Sequence, residues 1–168
     1  MYVENGVLMS VNDIDIAKIK NAHAWRSFFV ENKITKIGKG AFNRCDSLEH
    51  ITVPNGVEEI GDYAFAWCDN LIKASIADTV MSVGRGAFEC CPNLERVKLS
   101  KRQKAIAERT FFGCEWLSEI DITRNIRNIG EKAFYGCKRL NTKLTKSSKP
   151  KTSTAKNTPQ IEDSKSLA

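Results

Sequence analysis

A repeat of 23 residues predicts an α/β solenoid for this chain of 168 residues, with a short parallel sheet on one face and short helical turns on the other. Three observations carry the prediction. A branched aliphatic recurs at Ile37, Ile60, Val83, Ile106 and Ile129. A phenylalanine recurs at Phe42, Phe65, Phe88, Phe111 and Phe134. Cysteine and leucine columns keep the same phase at Cys45, Cys68, Cys91, Cys114 and Cys137 and at Leu48, Leu71, Leu94, Leu117 and Leu140, and no column needs a gap. A fixed period in the twenties marks units that bury their apolar side only against their neighbours.

Residues 1–36 are the least regular. The phase run backwards asks for apolar residues at seven positions, and the sequence supplies Val11, Ile14, Ile19, Ala22, Trp25, Phe28 and Val30. This reads as a degenerate first repeat serving as a cap, because a terminal unit has no neighbour on one side. Asp13 and Asp15 ahead of Ile16, Ala17 and Ile19 also suit a helix start, so a capping helix over Asp13–Ala24 is the competing description.

Residues 37–140 form the solenoid proper. Leu48 to Val53 ends in period-two alternation, which turns Ile51 and Val53 inward and His50 and Thr52 outward. That is a short strand, and Pro54, lacking a backbone donor, ends it. Val57-Glu58-Glu59-Ile60-Gly61 has apolar residues three apart and a turn glycine. Asp62 to Cys68 places Ala64, Phe65 and Cys68 on one face of a helical turn, and the unit leaves room for only a turn or two of helix. After Leu140 the pattern stops. Residues 141–168 form a tail rich in Lys, Ser, Thr and Pro, and from 145 onward this composition predicts disorder.

The skeleton I-G-x-x-A-F-x-x-C-x-x-L-x-x-I-x-V closely resembles the BspA-like leucine-rich repeat family. Gly38, Ala41, Phe42, Cys45, Leu48, Ile51, Val53 and Pro54 match its pattern in the first clear unit, and the resemblance covers roughly residues 34–140. It implies a right-handed leucine-rich-repeat solenoid that binds other macromolecules, in some bacterial and protist members by adhesion at the cell surface. It implies no catalytic residues, and no cofactor is expected.

Charge and cysteines bound the function. The formal charge is +6. The tail holds six lysines against Glu162 and Asp163, so the body carries only +2. Five of the six cysteines sit at the repeat period, in a column built for packing, which favours buried thiols over disulfides. Cys90 lies outside the column. With no C-x-x-C pair and two histidines, a zinc site is not expected. No run of eighteen apolar residues exists, so no membrane span is expected. The N-terminus lacks a basic region followed by an apolar stretch, so a cytoplasmic protein is expected, unless the chain is a fragment of a longer surface or secreted one.

Catalysis is not expected. His50 lies on the outward side of its strand while Cys45 faces inward, and the fragments G-K-G-A-F and G-R-G-A-F lack the third glycine and long strand of a phosphate loop. What remains is surface. Two outward columns are expected on the strands: Ser27, His50, Lys73, Arg96 and Glu119, and Phe29, Thr52, Ser75, Lys98 and Asp121. Arg96 should pair with Glu119 and Lys98 with Asp121 across neighbouring strands. The repeat weakens in one turn, where Gln103, Ala107 and Thr110 replace an aliphatic, a glycine and an alanine. That turn carries Lys101, Arg102 and Lys104, either drift in a loop or a basic recognition loop. Trp67 and Trp116 depart from small or polar columns and are expected to cover neighbouring apolar surface, with binding anchors the sharper alternative.

The expected function is therefore a non-catalytic module that binds a protein partner through Lys73, Arg96 and Lys98, edged by Lys101, Arg102 and Lys104 and bordered by Glu119 and Asp121. The rivals are anion or nucleic-acid binding through the tail and basic loop, which the near-neutral body argues against, and a fragment of a larger surface adhesin.

Overall fold

The computed structural model describes residues 1–10 and 22–140. The expectations for Val11, Ile14 and Ile19, for most of the Asp13–Ala24 helix and for the 141–168 tail lie outside the described residues.

Four successive units each contribute one strand to a four-stranded parallel sheet: β4 (His50–Val53), β6 (Lys73–Ile76), β8 (Arg96–Lys98) and β10 (Glu119–Ile120). The register pairs His50 with Lys73, Lys73 with Arg96, and Arg96 with Glu119, at the repeat interval. Alternation works as the pattern requires: Ile51, Val53, Ala74, Ile76 and Val97 are buried, and His50, Thr52, Lys73, Arg96 and Lys98 are exposed.

A second side of the coil is formed by two-residue strands that the sequence did not announce. They are β3 (Lys36–Ile37), β5 (Glu59–Ile60), β7 (Ser82–Val83), β9 (Ala105–Ile106) and β11 (Asn128–Ile129). The chain begins with an antiparallel hairpin, β1 (Tyr2–Glu4) and β2 (Val7–Ser10), turned at Asn5 and Gly6, both at positive φ. Its second strand pairs parallel with β3 and so starts this sheet.

The helix α1 (Ala22–Glu31) takes the place expected for a first strand. It packs on β4, the outer strand of the four-stranded sheet. A helix satisfies its own backbone where no preceding strand is available, and it covers an open edge. The outward assignment of Phe29 is therefore corrected: it is buried against the core, edge-on to Phe28 at 6.0 Å. Val30, expected inward, is exposed, because helical rotation carries it to the far side.

The third side corrects a larger expectation. The segments around Phe42, Phe65, Phe88, Phe111 and Phe134 are successive tight turns, not helical turns. Two positions per unit have positive φ: Gly40, Tyr63, Gly86, Arg109 and Lys132, and Arg44, Trp67, Cys90, Gly113 and Gly136. A left-handed residue every fourth position is incompatible with a continuing α-helix. Alternate amides close turns, as in Ala64 N–H to Gly61 O, Ala66 N–H to Tyr63 O and Cys45 N–H to Phe42 O. The amides between them bond the next unit: Tyr63 to Arg85 O, Phe65 to Ala87 O and Trp67 to Glu89 O, all at 2.8–2.9 Å. Successive units are thus tied by backbone on this side as well.

The core between the three sides is a column. Phe42, Phe65, Phe88, Phe111 and Phe134 stack near-parallel with centroid spacings of 4.8, 5.1, 5.6 and 5.5 Å. The cysteine column lies beside it, buried. Each thiol from Cys68 onward donates to a phenylalanine carbonyl of the unit before: Cys68 to Phe42, Cys91 to Phe65 and Cys114 to Phe88 at 3.0 Å, and Cys137 to Phe111 at 3.2 Å. Cysteine is small enough for the column and still brings a donor, which an alanine would not. Burial pushes the thiols of Cys91 and Cys114 up, and that of Cys137 up to about 12.

Candidate functional site

Two exposed surfaces carry the residues singled out from the sequence. The first is the four-stranded sheet. Its ladder holds Lys73 beside Arg96 and Ser75 beside Lys98. Arg96 Nε lies 3.4 Å from Glu119, as expected for cross-strand neighbours, with both side chains more than half exposed. Such a pair contributes little to stability, roughly 0–1 kcal/mol. The second expected pair is corrected. β10 ends at Ile120, and although the Asp121 N–H still donates to Val97 O at 3.4 Å, its side chain is outside ion-pair reach of Lys98. Among the described residues, Lys73 and Lys98 have no acidic partner.

The second surface is the weakened turn. Its three departures from the repeat have three structural results. Gln103 is buried in the aliphatic column, where Nε2 donates to Ala105 O at 2.7 Å and Oε1 has no partner among the described residues. Thr110 is buried and satisfied by Ala107 O at 2.8 Å. Ala107 breaks the short-strand sheet. In the other units the amide before and after the two-residue strand bonds the preceding unit: Glu58 to Thr35 and Gly61 to Ile37, Met81 to Glu58 and Gly84 to Ile60, Arg127 to Lys104 and Gly130 to Ile106. Between β7 and β9 neither bond forms, and the sheet divides there.

The cause is steric. A Cβ built on Gly84 would lie 2.6 Å from Asp62 N and 2.7 Å from Gly61 C, and one on Gly61 would lie 2.8 Å from Gly38 C. The ladder brings this column against backbone, so only glycine fits. Ala107 carries the Cβ that the other members omit, and its turn stands off. Over the open ladder lies a surface groove of about 360 Å³ lined by Met81, Ser82, Val83, Arg102, Lys104, Ala105 and Ala107, beside one of about 400 Å³ over the intact ladder of β3, β5 and β7; what sets the first apart is its unpaired backbone.

The basic loop is divided by its contacts. Lys101 turns to Asp78, its N–H at 2.9 Å and its ammonium at 3.9 Å. Arg102 and Lys104 line the cleft, and Arg102 Nη2 reaches Met81 Sδ at 3.8 Å.

The turn side holds the tryptophans. Trp67 is 37% and Trp116 41% exposed. Trp67 stacks on Tyr63, and the Arg139 guanidinium lies 3.4 Å above the Trp116 ring. Nearby, Glu89 is buried and held by Arg109 through Nε and Nη2, while the same guanidinium covers Phe112 at 3.9 Å. Sequence reasoning missed this pair. Arg109 stands in a column otherwise shared by glycine, Tyr63 and Lys132, and nothing local marks its partner twenty residues back. Cys90, half-buried beside the pair, has its thiol pushed up by burial and by Glu89. Among the described residues, no three His, Cys, Asp or Glu side chains converge to hold a metal, and no helix is long and apolar enough to cross a membrane.

The chain matches the family model for the BspA type leucine rich repeat region, in six copies over residues 14–149. It is also similar to solved bacterial structures. A leucine rich cell surface protein from Faecalibacterium prausnitzii is 39% identical with a TM-score of 0.53, over 55% of this chain and 24% of that one. A leucine-rich repeat protein from Eubacterium ventriosum is 29% identical with a TM-score of 0.62, over 70% and 31%. One from Bacteroides ovatus is 28% identical with a TM-score of 0.58, over 64% and 27%. The chain thus spans about a quarter to a third of the length of these relatives. No similar sequence is found among curated proteins. The chain belongs to the BspA-type leucine-rich repeat family, and its fold is the family's parallel solenoid.

Proposed function

We propose that this chain is a non-catalytic protein-interaction module whose recognition surface is the outer face of the four-stranded sheet. One observation carries the reading. Lys73, Arg96 and Lys98 stand on adjacent strands in fixed register, exposed, and only Arg96 has an acidic neighbour. The backbone under these side chains is already ordered by the ladder, so binding through them loses less entropy than binding through loops. A cluster of cations of which Lys73 and Lys98 have no acidic partner among the described residues suits an acidic protein surface. Glu119 and Asp121 border the row and limit what can approach from that end.

The test is charge reversal. Arg96→Glu with Lys98→Glu should leave the circular dichroism spectrum unchanged and lower the melting temperature only slightly, since both side chains point to solvent and the cost of placing Glu opposite Glu119 is about 1 kcal/mol or less. It should weaken capture of the native partner by about tenfold or more, ~1.4 kcal/mol, and remove most of the salt dependence. Normal binding by the double variant, with binding lost in Trp67→Ala, would move the surface to the turn side. A second reading places the module in a larger surface protein. It is favoured by the similarity to a protein described as a cell surface protein and by the short span of the chain against its relatives. Labelling of intact cells with an impermeant reagent decides it.

A further inference from the structure

We infer that the cleft between β7 and β9 is a docking site for an extended peptide segment carrying an acidic side chain. The inference rests on other side chains than the strand-face reading and stands if that reading fails.

Three properties of the cleft select this occupant. The first is backbone. In every other unit the ladder consumes two amides and two carbonyls at this level. Here the N–H groups of Lys104 and Ala107 make no bond to the carbonyls of Met81 and Val83. The clamps on either side hold the two units too close for an interposed strand, so a segment in β conformation lies along the groove and reaches the free amides and carbonyls from outside. The second is charge. Arg102 and Lys104 line the cleft, and among the described residues neither has a carboxylate within ion-pair reach. Arg102 instead contacts a thioether sulfur, a weak acceptor that a ligand carboxylate would displace. The third is the apolar floor of Met81, Val83, Ala105 and Ala107, which accepts the side chain that alternates with the acidic one.

The opening is preformed. At one end Lys101 is fixed to Asp78. At the other, Gly86 N–H bonds Glu108 O at 2.9 Å, and the Glu108 carboxylate is taken by Arg85 at 3.0 Å. Between these clamps the wall cannot close without expelling the Cβ of Ala107. A volume of about 360 Å³ lies at the small end of the range for ligand clefts, roughly 300–1,000 Å³. It suits a few residues and not a folded edge. The net charge of the chain's own residues 141–168, six lysines against two acids, disfavours them as the occupant.

The probe is a blocked peptide of alternating Asp and Val, followed by titration of backbone amide resonances in the full chain. Its Lys-for-Asp counterpart and blocked aspartate alone serve as comparisons. The Asp peptide should shift Lys104 and Ala107 amides, and Arg102→Glu with Lys104→Glu should weaken it by about tenfold or more. Ala107→Gly restores the column glycine. It should slow hydrogen exchange at residues 104 and 107 and abolish peptide binding, with Arg102 and Lys104 still present. Arg96→Glu with Lys98→Glu should bind the peptide as the wild type does. No shift at millimolar Asp peptide, equal binding of the Lys peptide, or equal binding of blocked aspartate alone would each overturn the proposal. So would Ala107→Gly that keeps fast exchange at 104 and 107, or that closes the ladder and still binds.

Discussion

Truncating Phe88 to alanine measures how much the stacked column contributes. Phe88 is fully buried between Phe65 at 5.1 Å and Phe111 at 5.6 Å, the three rings near-parallel. A buried Phe→Ala change costs about 3–5 kcal/mol, and the spread follows how far the site can collapse. Collapse is limited here. Phe88 N–H bonds Thr110 O, and Ala87 O accepts from Phe65, so the backbone on either side is tied to the neighbouring units. The stacked contacts on both faces add about 0.5–1.5 kcal/mol each beyond area. The expected loss is therefore in the upper part of that range, about 4–5 kcal/mol, a large fraction of a typical domain stability of about 5–15 kcal/mol. Phe134 stacks on Phe111 alone among the described rings and is 5% exposed, so Phe134→Ala should cost less. Urea unfolding followed by circular dichroism and by tryptophan fluorescence provides the comparison. A loss below about 1 kcal/mol for Phe88→Ala, or an equal loss at Phe134, would refute the column as the core.

Gln103→Val gives the weakened turn the residue type of Val57 and Val80; with Oε1 no longer buried without a partner, thermal stability should rise by roughly 1–2 kcal/mol, read in the same denaturation assay. The thiols predict a pH dependence. Cys91, Cys114 and Cys137 are held above the ordinary thiol value of 9.0 by burial, so the unfolded chain ionises first. Their contribution is complete below about pH 9 and is lost as pH rises above it, for Cys137 up to about 12, by up to about 1.4 kcal/mol per pH unit for each thiol. The unfolding free energy of wild type against Cys137→Ala across that window checks the sign: the difference should shrink as pH rises.

Much of the fold was legible because the strong signals repeat. Ile51 and Val53 alternate with His50 and Thr52, and the same phase at Ala74, Ile76 and Val97 fixed the strand face and its register. The two-residue strands were not legible, since Glu59–Ile60 is too short to alternate. The turn side misled because Ala64, Phe65 and Cys68 share helical spacing, whereas the glycines at positions 40, 86, 113 and 136 mark left-handed backbone. Gly40 and Gly86 look like a variable site because Tyr63, Arg109 and Lys132 fill the same column, and only the positive φ at all five excludes a helix. The site divides similarly. Three departures in one turn pointed to Gln103–Thr110. That Ala107 opens a cleft there needed the backbone of Gly61 and Gly84 as a measure of the missing space. At the N-terminus the phase matched Phe28 and Val30, yet a helix wins where no earlier strand can pair.

The central claim, that the four-stranded face recognises the partner, is most directly tested by photo-crosslinking. A photoreactive residue is placed singly at position 73, 98, 67 or 135 and irradiated with the captured partner. Adducts are expected from positions 73 and 98 and none from 67 and 135, where the exposed rings of the turn side stand. Adducts confined to 67 and 135 would contradict it.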